Sequence, residues 1–336
     1  MTDLKKTAGS IVSGLGLPNA YTTIKKTLTG SQVVIVHYHR ISPPAEHEWL
    51  MTPVSPQSFE RQLRYLQRNF EIMPLETLVS CLRDQTLPKN SAAITLDDGY
   101  KDNYTYAYPI LQKYRVPATI FLITGHIGST ELFWWDKAQY IFRHTQVSRL
   151  ELDSTANHLS STQRHQRTGS HFTTELTNMS HQKKILLLDK MISSAGVAIP
   201  TDLAKQVILS AEDIKEMASK GIDFGAHTVT HPNLTRESEQ EARHEIVCSK
   251  KHVEEFAGKE CTLFAYPLGA FNGQVERIVA QSGYVAAVTS KPGWITASTD
   301  PYQLGRIGVT DDFDQFQVVL STLWKVNWSS KIGRSD

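Results

Sequence analysis

Cysteine is scarce in this sequence, which has three such residues, Cys81, Cys248 and Cys261, among 336. No two of them form a CxxC pair, and an odd count in a long chain does not fit a disulfide framework. The cysteines therefore predict no disulfide scaffold, and we expect free thiols that are buried or partly buried.

The sequence also lacks an excess of either charge and a long hydrophobic run. Its formal net charge is +1, which gives no reason to expect nucleic acid as a partner. Residues 33–36 (VVIV) are continuously apolar but far too few to cross a bilayer. With 40% apolar and 21% charged residues, the composition predicts a globular protein with a substantial core.

The first residues do not have the pattern of a secretory signal. Lys5 and Lys6 are followed by residues 7–19, which are rich in Gly and Ser and poor in strong hydrophobes. We therefore expect a cytoplasmic protein. Residues 1–30 form an extension with two interpretations, a surface helix packed on the domain and an amphipathic helix lying on a membrane.

Strand-like and helix-like segments alternate along most of the chain. A buried parallel strand is predicted at residues 33–36, and an amphipathic helix begins at Ser55 and Pro56. Strand after helix after strand implies an α/β fold with a parallel sheet, open or closed into a barrel. Further strands are expected at 92–96, 118–123, 222–225, 262–265, 285–288 and 304–309, and further helices at 104–114, 237–256, 273–281, 313–324 and from the capping box at 210–213 to Gly221.

Residues 31–325 are predicted to form one domain, followed by a tail at 326–336. Residues 144–180 break the alternation because they are polar and rich in Ser, Thr and His. We interpret them as a surface insertion that could act as a lid. Without Cys or carboxylate partners at ligand spacing, its histidines are expected to be solvated and not to bind metal; they are His144, His158, His165 and His171.

Two adjacent carboxylates, Asp97 and Asp98, follow the strand predicted at 92–96. Neighbouring side chains on a strand point to opposite faces, but Gly99 permits a sharp turn that could bring both into one pocket. Ligands collect at the carboxyl ends of parallel strands. A surface turn of local origin is the alternative.

Two histidines, His227 and His231, follow the strand predicted at 222–225. At positions i and i+4 they would lie on one side of a helical turn and could chelate one ion. Thr228 and Thr230 could orient the imidazole rings. A chance surface pair is the alternative for this motif taken alone.

Together the two motifs predict a catalytic metal site. One carboxylate and two imidazoles supply three ligands and leave positions for water and substrate. The other Asp stays unliganded beside the ion, as a general base must. Zinc is the first candidate ion, and cobalt, nickel and iron also suit this ligand set.

A third motif, Tyr266-Pro267-Leu268-Gly269, follows the strand predicted at 262–265. Its Pro and Gly predict a fixed turn that can present a backbone N–H to the site. An ordinary strand-to-loop turn is the alternative.

With these motifs the sequence resembles the polysaccharide deacetylases of carbohydrate esterase family 4, which share the NodB homology domain. TLDDG at 95–99 and HTVTH at 227–231 carry the resemblance over roughly residues 31–325, and YPLG at 266–269 is similar to the form in bacterial exopolysaccharide deacetylases. The resemblance implies a distorted (β/α) barrel with fewer than eight strands. It also implies Asp97 as the base, the Tyr266 N–H as a donor to the oxyanion, and three metal ligands, namely Asp98, His227 and His231.

The sequence departs from the common family pattern before the Tyr-Pro turn. The arginine that pairs with the base in the family is absent, and Phe264 and Ala265 stand there. Arg306 is our candidate replacement, because a guanidinium can bind a carboxylate through two hydrogen bonds. A surface arginine at a strand end is the alternative.

The C-terminal histidine motif that supplies the acid in the family is also absent. Instead His37-Tyr38-His39-Arg40 follows the first strand. This segment is similar to the Tyr-His segment of poly-N-acetylglucosamine deacetylases, whose histidine acts as the acid in a rearranged barrel. His39 is the matching position, and we expect His37 to pack near the strand end.

The resemblance implies metal-dependent hydrolysis of the N-acetyl group of an amino sugar in a polysaccharide or glycoconjugate. Candidate substrate contacts are Tyr266, Pro267, Gly269, Trp134 and Trp135. The two tryptophans could stack on a sugar ring, or pack in the core or against the insertion. The alternatives are a deacylase or deformylase of lipid- or nucleotide-linked sugars and an inactive glycan-binding module.

Overall fold

The computed structural model describes residues 33–46, 50–145 and 176–320 of the chain. Its strands are β1 Val33–Tyr38, β2 Glu71–Ile72, β3 Ser91–Leu96, β4 Thr119–Leu122, β5 Asp223–Ala226, β6 Leu263–Ala265, β7 Ala286–Val288 and β8 Ile307–Gly308. They form one sheet in the order β7-β6-β5-β4-β3-β1-β8, with β2 paired to β3 outside this order. All the strand pairings are parallel.

Helices connect the strands, as the alternating pattern predicts. They are α1 Pro56–Asn69, α2 Leu75–Arg83, α3 Tyr108–Tyr114, α4 Trp134–His144, α5 His181–Ala195, α6 Leu203–Val207, α7 Ala211–Ser219, α8 Glu239–Ala257, α9 Gly273–Gln281 and α10 Phe313–Leu320. The predicted start of α1 is confirmed, because the Ser55 hydroxyl accepts from the Ser58 N–H and Pro56 occupies the first turn. The predicted capping box of α7 is present between Ser210 and Asp213.

Both faces of the sheet are covered, as the continuous apolar run of β1 predicts. Val34 and Val36 pack in the cluster that includes Phe59 of α1. Val33 and Ile35 point the other way and belong to a second buried cluster with Phe121. Burial on both faces fixes the register of β1, which decides where the residues after Tyr38 emerge.

The sheet curls until its two ends meet. Next to β7, the Leu304 N–H donates to the Ala287 carbonyl at 3.0 Å and the Thr289 N–H donates to the Leu304 carbonyl at 2.8 Å. Shortly after Leu304, β8 pairs with β1. The predicted distorted α/β barrel is therefore confirmed, and Arg306 lies in the segment that closes it.

Two predictions of local structure were wrong. The motif from His227 to His231 is a loop, not a helical turn. The strand expected at 304–309 is regular only at Ile307–Gly308, because Leu304 pairs with β7 instead. The helix expected at 104–114 is confirmed, with the difference that its first part, Asn103–Ala107, is π-helical and runs directly into α3.

Several expectations concern parts of the chain that are not described. Residues 1–30, the tail at 326–336 and most of the insertion at 144–180, including His158, His165 and His171, lie outside the described residues, so the division of the chain and the cytoplasmic location stay predictions. His144 is described and is exposed. The three cysteines are free, as expected. Among the described residues, no helix combines the length and apolar character needed to cross a membrane.

Candidate metal centre and active site

The carboxyl ends of β1, β3, β5 and β6 bring the predicted site residues together. The turn after β3 carries Asp97 and Asp98, which are 3% and 2% exposed. Asp98 has φ 77° and Gly99 has φ 81°, so two successive residues are left-handed where the strand ends. A left-handed Asp is uncommon, and Asp tolerates it because its short side chain can bond locally. The turn accounts for two neighbouring carboxylates in one pocket.

The loop after β5 places the two imidazoles of His227 and His231 with ring centroids 4.7 Å apart. Thr228 and His231 both have positive φ, 68° and 56°, which the helical interpretation excluded. The Thr228 hydroxyl accepts from the His231 N–H at 2.9 Å. Thr230 bonds elsewhere, to Glu245. Thr228 therefore hydrogen-bonds within the loop as predicted, but within the described part of the chain neither threonine hydroxyl bonds an imidazole nitrogen, so they orient the rings only through the loop backbone.

Glu245 on α8 is a supporting residue that the sequence reasoning missed. Its carboxylate accepts from the Val229 N–H at 2.7 Å, the Thr230 N–H at 2.9 Å and the Thr230 hydroxyl at 2.7 Å. The sequence pattern could have indicated Glu245, because this acid lies on the buried face of an amphipathic helix with Ala242 and Ile246. A carboxylate on such a face needs partners, and here it ties the histidine loop to α8.

Asp98, His227 and His231 form a cluster whose potential ligand atoms all lie within 4.8 Å of one another. The Asp98 Oδ1 atom is 3.7 Å from His227 Nε2 and 4.0 Å from His231 Nε2. These separations exceed hydrogen-bond length and suit a shared ion bonded at about 2.0–2.2 Å to each atom. The predicted triad is therefore assembled in space.

The electrostatics of the triad fit a cation. The His227 Nδ1 atom lies 2.8 Å from the Ala265 carbonyl, which can only accept, so Nδ1 carries the proton and Nε2 is left for an ion. His231 Nδ1 is buried without a hydrogen-bond partner among the described residues. Burial lowers the pKa of His227 to about 4, which keeps its imidazole neutral. Burial and the charges of Asp97 and Asp136 raise the pKa of Asp98, and the opposing charge of Arg306 does not outweigh them.

Arg306 binds Asp97 in the two-pronged manner predicted for it. Its Nη1 donates to Asp97 Oδ1 at 2.7 Å and its Nη2 to Oδ2 at 2.6 Å. The Arg306 side chain is fully buried, so the alternative of a surface arginine is wrong. Burial alone would raise the pKa of Asp97, but the charge and hydrogen bonds of Arg306 outweigh it and hold the pKa below its ordinary value. Asp97 is therefore ionised and available as a proton acceptor.

His39 faces the same pocket from the end of β1. Its carbonyl accepts from Asn103 Nδ2 at 2.9 Å, and Asp102 holds the next residues by accepting from Arg40 Nε at 2.9 Å and the Ile41 N–H at 3.1 Å. His37, His39 and Asp97 have ligand-type atoms within 4.8 Å of one another. Burial lowers the pKa of His39, and the charge of Asp97 opposes this shift. The sequence placed His39 correctly beside Asp97 but did not reveal Asn103 or Asp102 as its supports.

Comparison with known proteins agrees with this geometry. The family model described as polysaccharide deacetylase matches residues 84–287, more than half of the chain. The chain belongs to the polysaccharide deacetylase family. Membership supports hydrolytic N-deacetylation of a polysaccharide.

Individual relatives of this family resemble the chain over most of its length. YxkH of Bacillus subtilis, a candidate polysaccharide deacetylase, is 25% identical over 85% of this chain and 74% of its own. The poly-β-1,6-N-acetyl-D-glucosamine N-deacetylase of Staphylococcus aureus MRSA252 is 23% identical over 77% of this chain and 68% of its own.

Solved structures of this family share the fold. The Streptococcus pyogenes deacetylase PplD, in complex with acetate, has a TM-score of 0.58 at 22% identity and covers 87% of this chain and 99% of its own. IcaB from Ammonifex degensii has a TM-score of 0.55 at 20% identity and covers 87% of this chain and 97% of its own.

The YPLG turn of this family member corrects one predicted role. The Tyr266 N–H donates to the Val288 carbonyl at 3.1 Å, so it is not available to an oxyanion. Pro267 has no N–H, and the Gly269 N–H donates within the turn, to Tyr266. The Leu268 N–H has no acceptor in the described part of the chain. Leu268 is left-handed, with φ 60°, and it is 40% exposed. It is therefore the residue of this turn that is accessible from outside.

The candidate substrate contacts of the turn are also less exposed than expected. Tyr266 and Pro267 are buried, and Gly269 is partly buried. Gly269 has φ 67°, and a Cβ there would lie 2.6 Å from the Ser290 nitrogen. Gly269 is therefore present for a structural reason, because its left-handed backbone and the close approach of Ser290 leave no room for a side chain.

The two tryptophans after β4 have different positions. Trp134 is 2% exposed and its Nε1 donates to the His231 carbonyl at 3.2 Å, so it packs behind the candidate metal ligands and cannot stack on a sugar. The Trp135 ring is partly buried and lies 4.7 Å from the His231 ring, edge to face. Its Nε1 donates to the Tyr100 hydroxyl at 2.8 Å, which bonds the buried Asp136 at 3.0 Å. Of the pair, only Trp135 borders the site.

Proposed function

We propose that this protein is a metal-dependent N-deacetylase of poly-N-acetylhexosamine. The observation that carries the proposal is the convergence of two assemblies on one pocket, the Asp98, His227 and His231 triad and the Asp97–Arg306 pair. Family membership supports the reaction class, and the named function of the Staphylococcus aureus relative supports a β-1,6-linked N-acetylglucosamine polymer as the first substrate to test.

The triad is our proposed metal site because its donor set and spacing fit a divalent ion. Two neutral imidazoles and one carboxylate suit zinc first, and also cobalt, nickel and iron. A bound ion would supply Lewis acidity toward the amide carbonyl and lower the pKa of a water molecule.

The neighbouring residues are proposed to handle the protons. Asp97 accepts the proton of the attacking water, because Arg306 keeps it ionised in a buried pocket. As the C–O bond forms and the C–N bond breaks, protonated His39 gives a proton to the leaving nitrogen. Burial makes the imidazolium of His39 a stronger acid than in water. The products are acetate and a free amino sugar.

The developing oxyanion needs a backbone donor in this scheme. We assign that role to the Leu268 N–H in place of Tyr266, since it is the unused donor of the YPLG turn. Trp135 is the proposed aromatic wall for the substrate. Trp134 keeps a packing role only.

The test is release of acetate from β-1,6-linked N-acetylglucosamine oligomers by metal-reconstituted protein. We expect release that requires metal and falls by roughly 10²–10⁴-fold in Asp97→Asn, the range for a lost general base. Lipid-linked, nucleotide-linked and N-formylated sugars form the comparison panel. No release from any of them by metal-loaded protein would overturn the proposal and favour a glycan-binding module.

A further inference from the structure

A second group of metal-ligating side chains lies beside the triad. His37, His39 and Asp97 each offer a ligand-type atom, and these atoms lie within 4.8 Å of one another. The ring centroids of His37 and His39 are 5.2 Å apart. Two imidazoles and a carboxylate repeat the donor chemistry of the triad, so the same class of borderline divalent ion can bind both groups.

His37 has no part in the proposed reaction, and its surroundings suit a ligand. Its Nδ1 atom is buried and lacks a hydrogen-bond partner among the described residues, which is costly for a polar atom unless something binds it. The ring lies against Gly308 of β8, where a Cβ would come within 2.9 Å of His37 Cε1. Gly308 therefore leaves room for the imidazole at the point where β1 and β8 pair.

The state of charge is also compatible with metal binding. Burial, reinforced by the charge of Arg306, lowers the pKa of His37, so the ring is neutral, as an imidazole ligand must be. Asp97 is ionised. Each of its carboxylate oxygens has two lone pairs, so the hydrogen bonds from Arg306 do not use up its capacity to bind an ion.

Arg306 sets the order of affinity between the two groups. A fully buried guanidinium bonded to Asp97 at 2.6 Å repels a cation placed on the same carboxylate. Asp98 has no such neighbour in direct contact within the described part of the chain. An ion therefore fills the triad first and the second group only at higher metal concentration.

We propose that His37, His39 and Asp97 form a second, weaker divalent-cation site whose occupancy inhibits the enzyme. The inhibitory part rests on the proposed function, because it follows from the roles given to Asp97 and His39. An ion on Asp97 removes the lone pair that accepts the proton from water. An ion on His39 removes the nitrogen that carries the proton to the leaving amine.

The binding part is tested without turnover, by titrating metal-free protein with Co²⁺ and with Zn²⁺. Co²⁺ binding is followed by its visible absorption and Zn²⁺ binding by calorimetry. We expect a tight phase followed by a weaker one in the wild-type protein. His37→Phe keeps an aromatic ring without nitrogen, and His37→Asn keeps a smaller polar side chain; both are expected to lose the weaker phase and keep the tight one.

His144→Asn is the matched control, since it removes an exposed histidine outside both groups. We expect it to keep both phases. A single phase in wild-type protein, or a weaker phase that survives both folded His37 variants, would overturn the second site. Because two variants are used, misfolding of one, detected by circular dichroism, leaves the other to decide.

The inhibitory part is tested by acetate release over the same range of metal concentration. We expect wild-type activity to rise and then fall, and the His37 variants to rise without the fall. Activity that stays flat while the weaker phase fills would overturn inhibition. If no acetate is released at any metal concentration, the proposed function fails, while the titrations still decide whether the second site exists.

Discussion

The two adjacent carboxylates of this site are equally buried and have opposite environments. Asp97 is bonded on both oxygens by Arg306, and its pKa is held below the ordinary value. Asp98 lies 3.7 and 4.0 Å from two imidazoles, and within the described ranges no lysine or arginine contacts it. Its pKa is raised, first by burial and then by the charge of Asp97.

In the proposed mechanism, this difference separates a base side at Asp97 from a metal side at Asp98. The base side contains its own countercharge, so the carboxylate is ionised without any added ion. On the metal side the protein supplies an anion and two neutral ligands, an arrangement that a divalent cation would balance. Adjacent residues of one motif can therefore have different chemistry, because a single guanidinium from a distant part of the chain, Arg306 just before β8, binds one of them and not the other.

Neutralising each carboxylate in turn is the most direct test of the different roles proposed for Asp97 and Asp98. Asp98→Asn should abolish stoichiometric binding at the triad and reduce acetate release by at least about 10³-fold, since the Lewis acid supplies several kcal/mol. Asp97→Asn should lose activity and keep the tight metal phase. Metal analysis after gel filtration and acetate assays measure both effects. Loss of tight metal binding in Asp97→Asn, with retention in Asp98→Asn, would reverse the assignment.

The base side is tested by removing its countercharge. Arg306→Gln leaves Asp97 buried and unpaired, and we expect metal-free protein to lose about 3–5 kcal/mol of unfolding free energy at neutral pH. The depressed pKa of Asp97 means that the pair stabilises the fold fully above about pH 4 and loses this effect as pH falls toward the folded-state pKa. The wild-type and variant proteins should therefore become more alike in urea unfolding at acidic pH.

Arg243→Gln is the matched control for that experiment. Arg243 pairs with Glu239 on the surface of α8 at 3.2 Å, with side chains 45% and 59% exposed. An exposed pair of this kind contributes about 0.3–0.5 kcal/mol. An equal loss of stability in both variants would contradict a special role for the buried pair.

A smaller effect on metal binding is expected from a change at Glu245, which supports the loop of His227 and His231. Glu245→Gln removes an acceptor from the loop that carries His227 and His231, and we expect metal affinity to fall about 10–100-fold. Competition with a chromogenic chelator measures this affinity. Glu241→Gln, in the exposed capping box of the same helix, is the control that should leave affinity unchanged. If both variants bind metal like wild-type protein, Glu245 does not position the ligands.

Much of this site could be predicted from the sequence because its chemistry is concentrated in short motifs. Asp97 and Asp98 stand side by side, and His227 and His231 lie within five residues. The apolar runs predicted where the strands end, and both motifs directly follow such ends, so both were expected at one edge of a parallel sheet. The candidate arginine was also named correctly, since a base without its usual partner requires another one.

What the sequence determined was therefore the set of candidate site residues and the alternating order of strands and helices. Local hydrophobic pattern and side-chain chemistry are properties of the residues themselves, so they can be read along the chain. Tertiary structure decided the left-handed conformations of Asp98, Thr228 and Leu268, which no side-chain preference specifies. It also decided which N–H groups are used by the sheet, which excluded Tyr266 from the role expected for it. Contacts such as Arg306 with Asp97, 209 residues apart, exist only because the closed sheet brings distant strand ends together.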